Sequence, residues 1–300
     1  MLFDSSMDEI NLDLLNVLLI DRTTNKNIIW ATSDYGDFGE KYVSNKEILS
    51  NLIIGVHSNI IQPRVLKSVQ SKKSRVRSKA EIFTPSWMCN EQNNLIDEAW
   101  FGRANIFNKI VDIHKHNWQS TTEKIVFDDK LTWQSYVDIN RLEITCGEAP
   151  YLVSRYDTVS GEMIPIENRI GLLDRKLRVI NENITTKSEW LEWTKRAFQS
   201  VYGYEFQGDS LLLARKNMLM SYIEYYRKRF YIIPNQKLLE EIAEIISWNL
   251  WQMDGLTNTI PYANEKLTLF DKNFEENIYC KIKDWRNNEI LEYRSLLKGV

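Results

Sequence analysis

The chain has 300 residues, a formal net charge of −3, 43% hydrophobic and 26% charged residues, which suits one large or two small globular domains and excludes a simple polycation. No apolar run approaches the ~18 residues of a membrane span, and the acidic N-terminus MLFDSSMDEINLD reads as neither signal nor transit peptide. Cys89, Cys146 and Cys280 are odd in number and far apart, which points to a reducing cytoplasm without disulfides. Residues 8–50 read as an α/β preamble, with mixed apolar spacing over Ile10–Ile20 and a short β-rich run over Lys26–Thr32. From Arg64 to Lys79 the chain carries Arg64, Lys67, Lys72, Lys73, Arg75, Arg77 and Lys79 with no acid. That stretch fits either a phosphate-facing footprint or a solvated loop. Glu81–Thr84 is extended ahead of Pro85, and a helix is expected from Ser86 through Trp100.

Residues 103–140 are polar and aromatic and read as an insertion. Arg141–Thr145 alternates like a strand and runs into a tight turn at Cys146–Pro150. Residues 158–200 read as a second insertion, helical in two pieces, Ile166–Asn181 and Lys187–Ser200. Val201–Phe206 is an aromatic strand, and Asp209 is placed to cap a helix over Leu211–Phe230. Pro234–Asn235 breaks that helix. Another is expected over Leu238–Trp251, with Gly255 just past its end. Ile278–Ile282 and Ile290–Tyr293 read as closing strands joined by Asp284–Asn288. Alternating strands and helices predict an α/β fold with a mostly parallel sheet, whose ligands bind at the carboxyl ends of the strands. The division expected is a preamble over 1–79 and a main domain over 80–300.

The segment LEITCGEAPYL, Leu142–Leu152, ends a strand in a glycine turn, where a cofactor can approach backbone closely. It resembles the first cofactor-binding motif of the adenine-specific, amino-directed DNA methyltransferases. Cys146, Gly147, Tyr151 and Leu152 stand where that pattern expects them, while Thr145, Ala149 and Pro150 depart from it. Phe83, Thr84 and Pro85 resemble the Phe-Thr-Pro motif of one permutation of that family. Val201–Met220 resembles the second motif, with Glu205 as the ribose-binding acid and Asp209 as its competitor. Asp254 resembles the acid beside the adenine ring. The resemblance implies a class I methyltransferase-like, Rossmann-like sheet with helical insertions. It also implies S-adenosylmethionine as cofactor, DNA as partner, and kinship with methylase subunits of restriction enzymes.

The family's Asp/Asn–Pro–Pro–aromatic loop, which holds a flipped base, has no counterpart in the sequence. Asn258, Pro261 and Tyr262 in NTIPY are the nearest match, ahead of Asp284–Trp285. Three histidines and scattered cysteines give no metal-ligand spacing, and neither a phosphate-binding Gly-x-x-x-x-Gly-Lys loop nor a Gly-x-Ser-x-Gly elbow occurs. Two functional readings follow. One is methyl transfer to adenine in DNA. The other is a binding protein that keeps the frame without catalysis, as a phage-borne or defence-associated factor acting through a protein partner. A metal-dependent nuclease subunit is a third reading, with less behind it.

Overall fold

The computed structural model describes residues 6–68, 72–73, 75–76, 84–112, 114, 116–128, 130–263 and 278–299. Helix α1 (Leu12–Leu19) starts where the Asn11 side chain accepts from the Leu14 amide at 2.9 Å, and it buries Leu14, Leu15, Leu18 and Leu19. A minimal hairpin follows, β1 (Ile20–Asp21) against β2 (Lys26–Asn27). The β-rich run from Lys26 to Thr32 is strand only at its start; Ile29 then makes a single bridge to Glu47. Helix α2 (Ser86–Phe101) begins directly after Pro85 and ends at a left-handed Gly102. Residues 103–140 hold an antiparallel hairpin, β3 (Asn108–Asp112) with β4 (Asn117–Ser120), and a short helix α3 (Trp133–Asp138) opened by a capping box at Thr132.

The centre of the fold is strand β5 (Arg141–Glu143), helices α4 (Leu172–Asn183) and α5 (Lys187–Gln199), strand β6 (Val201–Glu205), helices α6 (Gly208–Phe230) and α7 (Gln236–Asn249), and strand β7 (Leu250–Gln252). The strands form one parallel sheet in the order β5-β6-β7, with Leu142 opposite Tyr202 and Tyr204 opposite Trp251. Parallel neighbours require a long crossover. The helical residues of 158–200, expected as an insertion, supply the crossover from β5 to β6. Val201 and Leu250 pack into the main apolar core beneath the helices. Tyr204 and Trp251 face the other way, under an antiparallel hairpin of β8 (Lys281–Asp284) and β9 (Glu289–Glu292). The architecture is therefore α/β around a three-strand parallel sheet.

One helix is shorter than its apolar periodicity predicts. Leu238–Trp251 does not stay helical to its end, because Leu250–Gln252 pair with Gly203–Glu205 as the third strand. The Asn249 side-chain amide holds that junction, donating to the carbonyls of Phe198 and Val201 at 2.9 Å each. Gly255 consequently caps no helix and lies in a turn between Asp254 and Thr259. The N-terminal segment does not form a core of its own. Leu15, Leu18 and Trp30 belong to the same apolar cluster as Leu177, Phe198, Leu212 and Ile246. No helix among the described residues is long and apolar enough to cross a membrane.

A close contact between that segment and the start of α6 is at Gly208. Its amide donates to the Trp30 carbonyl at 3.0 Å, and an added Cβ would stand 2.0 Å from the Ile29 carbonyl oxygen. That oxygen is itself held by Gln252 Nε2 at 2.9 Å, so it has little room to give. Gly208→Ala is expected to lose about 1–3 kcal/mol of stability, read from urea denaturation against the parent chain.

Candidate functional site

The carboxyl ends of the three parallel strands bring Glu143, Glu205 and Asp254 to one edge of the sheet. After β5 the chain turns through Thr145 (φ 46°), Gly147 (φ 54°) and Ala149 (φ 61°). Glycine adopts the left-handed region freely, while Thr and Ala pay roughly 1 kcal/mol each for it. The surroundings enforce the shape: the Cys146 amide donates to the Tyr204 carbonyl at 2.8 Å, and the Ala149 amide to the Cys146 carbonyl at 2.7 Å. Backbone strain of this kind is concentrated at functional sites.

Glu205 ties the turn to the second strand. One carboxylate oxygen accepts from the Gly147 amide at 2.9 Å; the other accepts from the Phe206 and Gln207 amides at 3.0 and 3.1 Å. A carboxylate offers about four acceptor positions, so one remains. Burial raises the pKa of Glu205 against the lowering effect of these amides. Glu143 is a second buried acid that the sequence reading missed. It accepts from the Leu152 amide at 3.2 Å and, more loosely, from that of Tyr151 at 3.4 Å, and burial holds its pKa well above the carboxylate range. The Cys146 thiol is pushed up by burial and then by the charges of both acids. The available signal was the alternation of Arg141–Thr145, which points Glu143 to the same face as the core residue Val201 across the ladder. Glu148, also missed, is buried and accepts from the Arg64 amide at 2.7 Å and from the Tyr156 hydroxyl.

Thr84 and Pro85 stand beside this turn, while Phe83 lies outside the described residues. The Thr84 carbonyl accepts from Thr158 Oγ1 at 3.0 Å, and the Ser86 amide donates to Asp157 at 2.7 Å. Tyr151 joins them to the turn: its hydroxyl reaches Gln92 and has Thr84 and Cys89 as polar neighbours. Asp254 closes its own loop by accepting from the Leu256 amide at 2.9 Å. Asn258 (φ 61°) gives its carbonyl to the Cys280 amide at 3.0 Å, Pro261 is buried, and Tyr262 packs edge-on against Phe206. The 258–262 loop therefore approaches the strand ends through Phe206.

Two residues of the basic stretch depart from the expectation of a phosphate-facing footprint or a solvated loop. Lys67 and Arg75 turn inward onto Asp209, with ion pairs of 3.0 and 3.1 Å, and Arg75 also reaches Asp34 and Gln207. Lys72 donates to the Val65 carbonyl at 2.8 Å, Lys73 is exposed, and Arg77 and Lys79 lie outside the described residues. The reason is Asp209. It does not cap α6, whose N-cap is Gln207 without a side-chain hydrogen bond. It is fully buried in the first turn and needs opposite charge, which Lys67 and Arg75 supply with the Tyr35 hydroxyl at 2.8 Å. Those partners hold its pKa well below the carboxylate range, overriding the raising effect of burial.

Among the described residues no group of three or more His, Cys, Asp or Glu side chains could hold a metal ion; His116 instead stacks on Trp87 at 3.8 Å. Compared with protein-family models, curated proteins and solved structures, the chain matches none.

Asp209→Asn is expected to lose about 3–5 kcal/mol at pH 7, because two buried cations are left short of their counter-charge. The Asp209 pKa is lowered in the folded state, so its contribution is fully present above about pH 4 and declines as the pH falls further. The gap between parent and variant in denaturant titrations is therefore widest at pH 7 and narrower at pH 3.

Proposed function

We propose that the carboxyl ends of β5, β6 and β7 bind S-adenosylmethionine, and that the chain is a relative of the adenine-specific DNA methyltransferases with a Rossmann-like sheet. The observation that carries this reading is the contact of the Gly147 amide with the Glu205 carboxylate at 2.9 Å, across adjacent parallel strands. It joins a glycine turn after one strand to an acid at the end of the next. In dinucleotide-binding folds that pairing approaches a cofactor with backbone and holds its ribose hydroxyls with the acid. The three parallel strands with helical crossovers also correspond to one mononucleotide-binding half of such a sheet.

The residues present suit the group. Glu205 keeps acceptor capacity for a ribose hydroxyl, and the proximity of Thr84 and Tyr151 supports a role for the Phe-Thr-Pro segment beside it. Bound there, S-adenosylmethionine would supply an electrophilic methyl group. Asp254, on the third strand end, is the candidate acid for the adenine ring, and Asn258 and Tyr262 are the candidates for holding a target base. DNA contact would draw on Lys73, Arg77 and Lys79, since Lys67 and Arg75 are committed to Asp209.

The second reading, a binding protein that keeps the frame without catalysis, is favoured by the 258–262 loop. Asn258 spends its carbonyl on Cys280, Pro261 is buried, and Tyr262 leans on Phe206. Such a loop gives a flipped base no evident clamp, so a partner protein would complete the function.

Titration calorimetry with S-adenosylmethionine is expected to give a one-site isotherm, weakened about tenfold or more in Glu205→Ala. No heat and no thermal shift in the parent chain would sink the reading. Methylated adenine in DNA from expressing cells, measured by mass spectrometry, supports the catalytic version. Its absence alongside cofactor binding selects the binding protein.

A further inference from the structure

A hollow lies at the opposite edge of the sheet from the strand-end acids. It opens where β5 and β6 begin, between the ends of α3 and α5 and the β8–β9 hairpin. It measures about 580 Å³, within the range of small-molecule sites. Part of its wall is apolar: Leu142 and Leu296 line it at 43% and 52% exposed, with Tyr202 and Trp285 beside them. Another part is basic. Arg196 pairs with Asp138 through Nε at 2.9 Å and again through Nη2, and Arg286 donates to the Asp138 carbonyl. The Arg141 guanidinium makes no hydrogen bond or ion pair among the described residues. Its Nη2 is closed off from solvent, but the charge is delocalised over the whole group and the residue is half-buried. Arg141 and Arg286 also lie within electrostatic reach of one buried ammonium, that of Lys176, which donates to the Val137 carbonyl at 2.9 Å and to Ser200 Oγ at 2.6 Å. Burial and then Arg141 pull the Lys176 pKa well down, and Arg286 adds to them against Asp138. Three guanidiniums therefore gather around the end of α3.

Lys283 is the fourth cation lining the hollow, with Nζ 4.3 Å from the centre of the Trp285 ring. Four cations, Arg141, Arg196, Lys283 and Arg286, thus stand against two lining acids, Asp138 and Asp284, an excess of two positive charges. Asp138 is committed to Arg196. Asp284 closes its own turn, accepting from the Arg286 and Asn287 amides at 2.9 and 3.2 Å and from Asn287 Nδ2 at 2.8 Å. A concave wall with one sign of charge in excess concentrates ions of the other sign. A phosphomonoester carries close to two negative charges at neutral pH, whereas a carboxylate offers one. Guanidiniums also match phosphate oxygens with paired donors. The apolar wall asks for a body beyond the phosphate itself.

We propose that this hollow binds a phosphomonoester carried on a flat apolar body, such as a nucleoside monophosphate. Arg141 and Arg286 hold the phosphate, and Leu142, Tyr202 and Leu296 cover the body. Arg196 stays on Asp138, and Lys283 adds attraction at longer range. These residues are separate from the glycine turn and from Glu205, so the inference is independent of the cofactor reading.

Calorimetry of the full chain with thymidine monophosphate tests it, a pyrimidine being chosen because it does not imitate adenosine. Thymidine monophosphate is expected to bind. Thymidine, without the phosphate, and inorganic phosphate, without the body, are each expected to bind about tenfold more weakly or worse. Arg141→Gln removes a charge that pairs with no described residue, so it is expected to lose about tenfold or more with unchanged melting temperature. Arg286→Gln is expected to do the same, and it decides if Arg141→Gln does not fold. The proposal is overturned if thymidine monophosphate gives no heat, if thymidine or inorganic phosphate binds as well as it does, or if the deciding variant binds as the parent does. Saturating S-adenosylmethionine is expected to leave the binding unchanged, so the two sites succeed or fail separately; displacement by it would place the nucleotide at the strand ends and overturn the proposal.

Discussion

Arg215 is fully buried in the middle of α6, and a guanidinium in that position must find acceptors for its donors. It finds four carbonyls: Leu18 and Ile20 at the end of α1, Ser247 near the end of α7, and Leu250 at the start of β7. Helix C-termini carry partial negative charge and unmatched carbonyls, so one cation serves two of them at once. Burial pulls its pKa down, yet a guanidinium remains charged at neutral pH. The consequence is geometric. α1 is held against α7, and the helix-to-strand switch at Leu250 has its carbonyl secured, which lets the third strand form. The sheet that carries the strand-end acids depends on that switch.

Polar groups continue the same logic at the top of the sheet. Gln252 grips the backbone of Ile29 from both sides, accepting from its amide and donating to its carbonyl at 2.9 Å each. Asp209 draws in Tyr35, Lys67 and Arg75 from the same N-terminal part of the chain. The N-terminal segment is thereby sealed onto the start of α6, next to Glu205. Two buried carboxylates only a short distance apart in sequence meet opposite fates. Glu205 is solvated by backbone amides and has its pKa raised by burial; Asp209 is neutralised by cations and has its pKa lowered. The first is held by amides of the turn and of the start of α6, the second by cations of the N-terminal segment.

Part of the fold around the strand ends was readable in advance. The turn at Cys146–Pro150, the strand ending in Glu205 and the helix after Pro85 are local events, governed by glycine, proline and alternation, and they stand where those signals put them. Two cations of the basic stretch stand otherwise than expected because composition carries no direction. Seven cations without an acid between them look like a surface, and only the placement of Asp209, more than 130 residues away, shows that Lys67 and Arg75 face inward. Leu238–Trp251 was misread because a short apolar run satisfies helix and strand periods equally.

By itself, then, the sequence determined the alternation of strands and helices and the glycine turn between Ile144 and Tyr151. Backbone sterics and side-chain period act over a few residues and need no partner. Tertiary structure decided where the third strand begins, which cations are neutralised, and which buried acids are held by amides and which by cations. Those outcomes depend on desolvation and on charges distant in sequence, and both come into being only when the chain has folded.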